Sequence, residues 1–390
     1  MHWRNHPVTG PSYEEDDLSI ATTPTSRGRR SSLLSKLRPR LLETLTTPHA
    51  VDRYLELVDP MMTVDDMRAE VVAVRHQTSD TVTLTLRPTW QWKGFSAGHF
   101  VQIGVVVDGV RHTRCYSPAG TAGTGDDTIE LTVKAQPDGI VSNYLVASAK
   151  PGLVVNLAPA TGTFELPSPR PDHVLLISGG SGITPVMSML RTLVHEGYTG
   201  RVAFLHYAYT ENDVCYRAEL DRIAAENDNV DVLYAYTDQQ NGGHLHGFFD
   251  TEHLNAAAPW HASAQTYLCG PPGLMKGVRS VFDDLGLSES LFSEEFVTAV
   301  PVVDGDASGT VSFSGSSVEA ENDGATLLEQ AENAGLTPEF GCRMGICFTC
   351  TAIKKSGCTR NVKTGELDSD PDNEIQLCIS VPVGDVDIDV

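Results

Sequence analysis

The chain has 390 residues, 41% of them hydrophobic, and a formal net charge of −23. That length allows two or three domains. The acidic balance argues against general nucleic-acid binding, and no apolar run is long enough to span a membrane.

Residues 1–66 read as an N-terminal extension. Its first thirty residues are polar and are expected to be disordered. A basic run follows (Arg27, Arg29, Arg30, Lys36, Arg38, Arg40), overlapping Leu33, Leu34, Leu37, Leu41, Leu42 and Leu45 at helical spacing, with Pro39 interrupting it. Two readings stand: a helix packed on the next domain with a solvated basic face, or a helix lying on an anionic membrane surface. The start, Met1-His-Trp-Arg-Asn-His, lacks the apolar stretch of a signal peptide.

From Met67 the pattern changes to period two. Several short strands over 67–170 predict a small antiparallel β-barrel, with a hairpin at Asp108-Gly109. One of these strands ends in Arg114-Cys-Tyr116-Ser117. An arginine can grip a phosphate through two parallel bonds, a tyrosine offers a flat face to an isoalloxazine ring, and a serine offers a small donor. Gly139-Ile-Val141-Ser142 opens a short helix whose first amides suit a pyrophosphate. A pyrophosphate means FAD rather than FMN.

Over 171–297 strands alternate with helices, which predicts a parallel α/β sheet. Gly180-Ser-Gly182-Ile-Thr184-Pro185 follows a strand and opens a helix: glycines admit the backbone to a phosphate, and proline fits the first turn. Cys269-Gly270-Pro271-Pro272 ends a later strand, where ligands of open α/β sheets bind. Both turns suit a nicotinamide dinucleotide. The segment Tyr236-Thr-Asp-Gln-Gln-Asn has no basic residue for a 2′-phosphate, and Arg217 is the nearest alternative, so NADH and NADPH both stand.

Residues 298–308 read as a linker. In 309–390, Cys342, Cys347 and Cys350 are spaced C-x4-C-x2-C, and Cys378 follows at a distance. That is the plant-type spacing for a 2Fe–2S cluster on four thiolates. A zinc site would pair C-x2-C with a second pair, and the last histidine is His261, far upstream. The remaining cysteines, Cys115, Cys215, Cys269 and Cys358, are scattered, which fits a reducing, cytoplasmic compartment. This region carries 14 Asp and Glu against 5 Lys and Arg, net −9. Such a face suits either solubility or the steering of a basic partner.

The three motif sets form a chemically complete relay. A nicotinamide gives two electrons as hydride, a flavin takes two and releases them singly, and the cluster accepts one. Over residues 67–390 the chain resembles ferredoxin–NADP reductase-type oxidoreductases that carry a C-terminal plant-type ferredoxin domain. The resemblance implies a β-grasp ferredoxin fold. It implies flavin contacts at Arg114, Tyr116 and Ser117, with the serine near the hydride-accepting nitrogen, and a pyrophosphate turn at Gly139–Ser142. It also implies an acidic–aromatic segment beside the flavin at Glu294-Glu295-Phe296. On this basis Ser117, Cys269 and Glu295 are the expected catalytic residues and Phe296 an expected cofactor contact. The stretches around Cys342–Cys350, Ser356–Asn361 and Gln376–Asp385, with Tyr54–Met62, are similar to actinobacterial reductases that supply membrane-bound stearoyl-CoA Δ9-desaturases. Those relatives use NADPH. The resemblance implies a membrane-bound di-iron fatty-acyl desaturase as acceptor, with peripheral membrane contact through the basic segment. Two rival functions remain: reductase of a soluble hydroxylating oxygenase, and a redox-sensing regulator.

Overall fold

A computed structural model describes residues 51–137, 139–296, 308–341, 343, 345 and 348–390. The basic leucine-bearing segment, most of the expected linker, and Cys342 and Cys347 lie outside the described residues. No helix among the described residues is long and apolar enough to cross a membrane. The end of the N-terminal extension is pinned by Asp52, whose carboxylate accepts from the amides of Val64, Asp65 and Asp66.

The first sheet contains β1 (Arg68–Thr78), β2 (Thr81–Pro88), β3 (Val101–Val107), β4 (Val110–Tyr116), β5 (Ile129–Lys134) and β6 (Val154–Leu157). Its order is β4-β3-β6-β1-β2-β5, antiparallel throughout. An isolated bridge between Pro118 and Leu131 joins the end of β4 to β5 and closes the sheet into a barrel. Val82, Leu84 and Leu86 alternate into its core, as period two requires. Alternation alone would leave the threonines between them wet. Instead Thr83 is buried and bonded to the hydroxyl of Thr132 (2.7 Å), because Tyr216 of the next domain covers that face and bonds Thr132 in turn. Helix α1 (Ile140–Ser148) packs Val141 and Leu145 into the barrel core.

The second sheet contains β7 (His173–Gly179), β8 (Arg201–Ala208), β9 (Val230–Tyr236), β10 (Leu245–His246), β11 (Gln265–Cys269) and β12 (Leu291–Glu294). They lie in the order β10-β9-β8-β7-β11-β12, all parallel. Val174 to Ile177 are fully buried, the signature of a strand covered on both faces. The helices used below are α2 (Ile183–His195), α3 (Arg217–Glu226) and α4 (Pro272–Asp284).

The third sheet contains β13 (Thr310–Phe313), β14 (Val318–Glu321), β15 (Thr351–Asn361), β16 (Leu367–Asp368), β17 (Asn373–Gln376) and β18 (Ser380–Asp389). Its order is β14-β13-β18-β15-β16, with β17 also on β15. Only β13 and β18 run parallel. Helix α5 (Leu327–Asn333) lies on this sheet. Thr326 and Glu329 form a capping box at its start.

Candidate active site at the junction of the flavin and nucleotide domains

Three functional side chains converge where the barrel seam meets the carboxyl ends of β11 and β12. Ser117 is buried just past β4 and donates to Glu294 Oε2 at 3.5 Å. Cys269 ends β11 in register with Ser178 of β7 on one side and Glu294 of β12 on the other. It is fully buried, and burial pushes its thiol well above the usual value, with Glu294 and Glu295 adding to the shift. Burial likewise pushes the Glu294 carboxyl up to about 8, against the opposing pull of the Ser117 hydroxyl and the Lys363 charge. At neutral pH Glu294 therefore holds a proton beside Ser117.

Glu295, the expected catalytic carboxylate, is placed elsewhere. It pairs with Arg279 of α4 at the surface. The reason is strand parity: neighbours in extended chain point to opposite sides, so Glu294 turns into the junction and Glu295 out of it. Phe296 is half-buried and packs against the hydrophobic core that the nucleotide domain shares with the barrel loops.

Arg114 and Tyr116 lie two apart on β4 and so share a face. Tyr116 is largely buried against the barrel core, which raises its hydroxyl above the usual tyrosine range. Arg114 donates to the Thr113 carbonyl at 2.8 Å. Helix α1 starts at Gly139 with no side-chain cap, so its first amides are left for another acceptor. A Cβ on Gly139 would lie 2.4 Å from the Ser142 hydroxyl. That hydroxyl donates to the Gly139 carbonyl and accepts from the Gln136 amide, so it holds the turn rather than reaching outward. Val141 was expected at the cofactor; its side chain is in the barrel core, which leaves only its main chain to face a ligand. Uncapped helix amides fit a diphosphate anion.

The two nucleotide turns meet backbone to backbone. Gly180 has φ of 53°, and a Cβ there would meet nothing within 4 Å. A Cβ on Gly182 would lie 2.3 Å from the Cys269 carbonyl oxygen, and one on Gly270 3.1 Å from the Gly179 nitrogen. Thr184 donates to the Ser181 carbonyl (3.3 Å), and Pro185 is buried in the first turn of α2. Pro271 caps α4, which begins with Pro272. Like α1, α2 has no side-chain cap. An open glycine, free amides and a close second turn fit a dinucleotide phosphate.

Arg217 stands at the far end of this site. It donates to the Tyr236 hydroxyl (2.9 Å), pairs with Glu211 (2.6 Å) and lies 3.6 Å from the Asp221 carboxylate. Any 2′-phosphate reaching it must therefore compete with two carboxylates.

Sequence reading missed the residues that hold the domains together. Arg191 of α2 forks onto Glu219 (2.8 and 2.7 Å) and also donates to the Ala119 carbonyl (2.7 Å) and Glu130 (2.9 Å). Ser188 donates to the Gly120 carbonyl (2.7 Å), and Thr192 accepts from the Ala122 amide (3.0 Å). One helix thus grips the loop that follows Ser117. Beneath the glycine turn, Ser178 bonds His206 Nδ1 at 2.8 Å, and burial keeps that imidazole neutral with a value of about 3.

In the third domain Cys350 and Cys378 are buried within one core cluster. The Leu377 amide donates to the Cys350 carbonyl (3.0 Å), which draws their chain segments together. Among the described residues before Cys350, Arg343, Gly345 and Phe348 have positive φ. A Cβ on Gly345 would sit 2.6 Å from Ile379, the residue after Cys378. Among the described residues no three metal-ligating side chains gather, and two of the four predicted ligands lie outside that set. Two buried cysteines on chain segments drawn together fit half of a four-thiolate cluster site. Cys358 sits apart on β15.

The sequence matches three families: the oxidoreductase FAD-binding domain over residues 69–166, the oxidoreductase NAD-binding domain over 176–280, and the 2Fe-2S iron-sulfur cluster binding domain over 311–383. It is 36% identical over 355 residues to an NADPH oxidoreductase of Mycobacterium tuberculosis, covering 90% of this chain and 91% of that one. The chain belongs to the ferredoxin reductase-type flavin and iron–sulfur oxidoreductases. A second member, the ferredoxin reductase component of a 3-ketosteroid-9-alpha-monooxygenase of Mycolicibacterium smegmatis, is 31% identical, covering 67% of this chain and 77% of that one. The glycine betaine monooxygenase reductase subunit of Pseudomonas aeruginosa is 28% identical, covering 76% and 87%. Phthalate dioxygenase reductase shares the fold, with a TM-score of 0.59 at 21% identity over 84% of this chain and 98% of that one. As a member of this family the protein is an NAD(P)H-dependent oxidoreductase with FAD and a 2Fe–2S cluster. When bound, the flavin supplies the exchange between two-electron hydride and one-electron chemistry.

Proposed function

We propose that hydride from NAD(P)H arrives at the junction of Ser117, Cys269 and Glu294, and that single electrons leave through a cluster held by Cys342, Cys347, Cys350 and Cys378. The observation that carries this is the meeting of those three side chains, from the barrel and two strands of the nucleotide sheet, with Ser117 and Cys269 buried and Glu294 half-buried. Arg114, Tyr116 and the first amides of α1, from Gly139 through Val141 to Ser142, hold the flavin. The main chains of Gly180, Gly182, Gly270 and Pro271, with the turn residues Thr184 and Pro185, hold the dinucleotide. Cys269 is a small neutral wall beside the nicotinamide, and Glu294 a proton store at Ser117. Replacing Ser117 with Ala tests this assignment: flavin reduction should slow by about 100-fold while flavin content stays the same. An unchanged rate removes Ser117 from the reaction.

The acceptor is an oxygen-activating enzyme, and the reading we favour is a membrane fatty-acyl-CoA Δ9-desaturase. The likeness of the cluster stretch to desaturase reductases supports it, and so does the basic leucine-bearing segment as a peripheral contact at the inner face of the membrane. A soluble monooxygenase is the second reading, favoured by the monooxygenases that the M. smegmatis and P. aeruginosa relatives serve as reductase components. Either partner meets the same exit: Phe348 exposed beside the cluster loop, near a run of carboxylates from Glu366 through Asp368, Asp370 and Asp372 to Glu374. Such an exit suits a basic partner surface. Reconstitution decides between the two. Acyl-CoA desaturation that needs this protein, vesicles and NAD(P)H supports the first, and loss of it on deleting residues 1–45 supports membrane docking. Turnover of only soluble oxygenases points to the second. Failure to reduce any artificial acceptor rapidly would turn the reading to a redox-sensing regulator.

A further inference from the structure

The iron–sulfur domain touches the flavin domain at the end of β4. Phe340, two residues before the expected ligand Cys342, is half-buried against the core of its own domain. Two guanidinium groups lie over its ring. Arg343, from the cluster loop, is 4.0 Å from the ring centroid, and Arg114, from β4 of the barrel, is 5.7 Å away. Arg343 is held in this pose by an ion pair with Glu332 of α5 and by a left-handed backbone, φ 56°. Arg114 lies on β4 three residues before Ser117, so this contact sits at the corner of the barrel that ends in that serine.

The physics of this contact is specific. Two like charges would repel across a bare interface, and the Arg343 charge does add to the burial that lowers Arg114 below the usual arginine range. The π face of Phe340 attracts both cations, and Glu332 supplies the balancing charge. Leucine in place of Phe340 would fill similar space but lacks the negative ring face, while tyrosine keeps it.

We propose that Phe340 and Arg343 seat the iron–sulfur domain on the flavin domain through Arg114, and that this seat sets how fast the cluster fills. The proposal rests on the electron path given above. Its balance is simple: one NAD(P)H and two one-electron transfers to oxidised cluster give NAD(P)+, one proton and two reduced-cluster equivalents. The seat is therefore used twice for each nicotinamide oxidised. Phe340 and Arg343 are positioning residues; neither carries charge in the transfer. Neither residue belongs to the Ser117, Cys269 and Glu294 junction or to the nucleotide turns, so hydride delivery does not depend on them.

The test uses the full-length holoprotein as wild type and as the variants Phe340→Leu, Phe340→Tyr and Glu332→Gln. Three readouts are taken: the cluster's visible and paramagnetic spectra, anaerobic stopped-flow reduction by NAD(P)H, and hydrogen exchange of the backbone over Val110–Tyr116. Phe340→Leu should keep the cluster spectrum and the rate of flavin bleaching. It should slow cluster reduction about three- to tenfold, the scale of one cation–π contact, and raise exchange in β4. Phe340→Tyr should restore both. Glu332→Gln, distant in sequence from every cysteine, should shift both in the direction of the leucine variant. Unchanged cluster reduction and unchanged exchange in Phe340→Leu overturn the seat. If that variant loses its cluster spectrum, Glu332→Gln decides: slower filling with raised exchange supports the seat, and no change in either overturns it. A wild-type protein whose flavin bleaches but whose cluster never fills would overturn the electron path itself.

Discussion

The barrel faces two neighbours and meets them in opposite ways. Against the nucleotide domain it is fastened by a buried arginine forked over two carboxylates, by Ser188 and Thr192 on the loop after Ser117, and by a hydroxyl chain from Thr83 through Thr132 to Tyr216. Against the iron–sulfur domain, among the described residues, Arg114 of the barrel meets the ring of Phe340, which Arg343 also covers. The difference matches the two chemistries. Hydride transfer needs reacting atoms held at a fixed near-attack distance, so that interface is rigid. A one-electron donor must meet both the flavin and an outside acceptor, so a seat that can be left serves it better than a weld.

The largest effect that would break this comparison lies in the rigid interface. Arg191→Met strands Glu130 and Glu219 without their cation. It should cost about 3 kcal/mol of stability in denaturant unfolding, and a loss below about 0.5 kcal/mol would show that the interface is not fastened there. Next comes Gly182→Ala. Its Cβ would collide with the Cys269 carbonyl, so the nucleotide turn must shift. The Michaelis constant for NAD(P)H should rise at least about tenfold, an effect of about 1.4 kcal/mol, with flavin content unchanged; normal binding contradicts the turn-on-turn packing.

A smaller effect comes from Glu294, at the junction with Ser117. Its value in the folded protein, about 8, lies above its ordinary 4.5, so between these pH values the folded state holds a proton that the unfolded state has lost. Stability contributed by this group is complete below pH 4.5 and falls as pH rises to 8, by at most about 1.4 kcal/mol per pH unit. Glu294→Gln should flatten that part of the stability profile, and an unaltered slope would mean that the carboxyl is not buried as described. The smallest effect concerns the donor. Glu211→Gln frees Arg217 of one carboxylate and should raise the ratio of NADPH to NADH efficiency about three- to tenfold, on the scale of one charged hydrogen bond. A ratio that stays fixed would place the 2′ position elsewhere.

Much of this molecule is legible in its sequence because its chemistry sits in short local motifs. The glycine turn at 180–185, the β4 ending and the cysteine spacing each announce themselves within a few residues. Helix α2 begins within the glycine turn, where the sequence places a helix start. What escapes the sequence depends on partners far along the chain. Thr83 reads as solvent-facing until Tyr216, 133 positions later, covers it. Arg191 reads as an ordinary surface arginine on an amphipathic helix until the barrel loop closes over it. That Glu294 rather than Glu295 faces Ser117 escapes the sequence for a subtler reason. In a pair of adjacent carboxylates only strand parity says which turns inward, and parity follows from the pairing of β12 with β11, which the sequence does not display. Phe340 reads as core, and only its nearness to Arg114 gives it a second role.

The central claim is that electrons enter at the Ser117 junction and leave through the cysteine-held cluster. Anaerobic stopped-flow mixing of the holoprotein with NADH and, in parallel, with NADPH tests it most directly, following flavin bleaching and cluster absorbance together. The flavin should bleach first and the cluster follow, and the faster nucleotide identifies the donor. A flavin that bleaches while the cluster stays oxidised would contradict the path and turn the function toward sensing rather than supply.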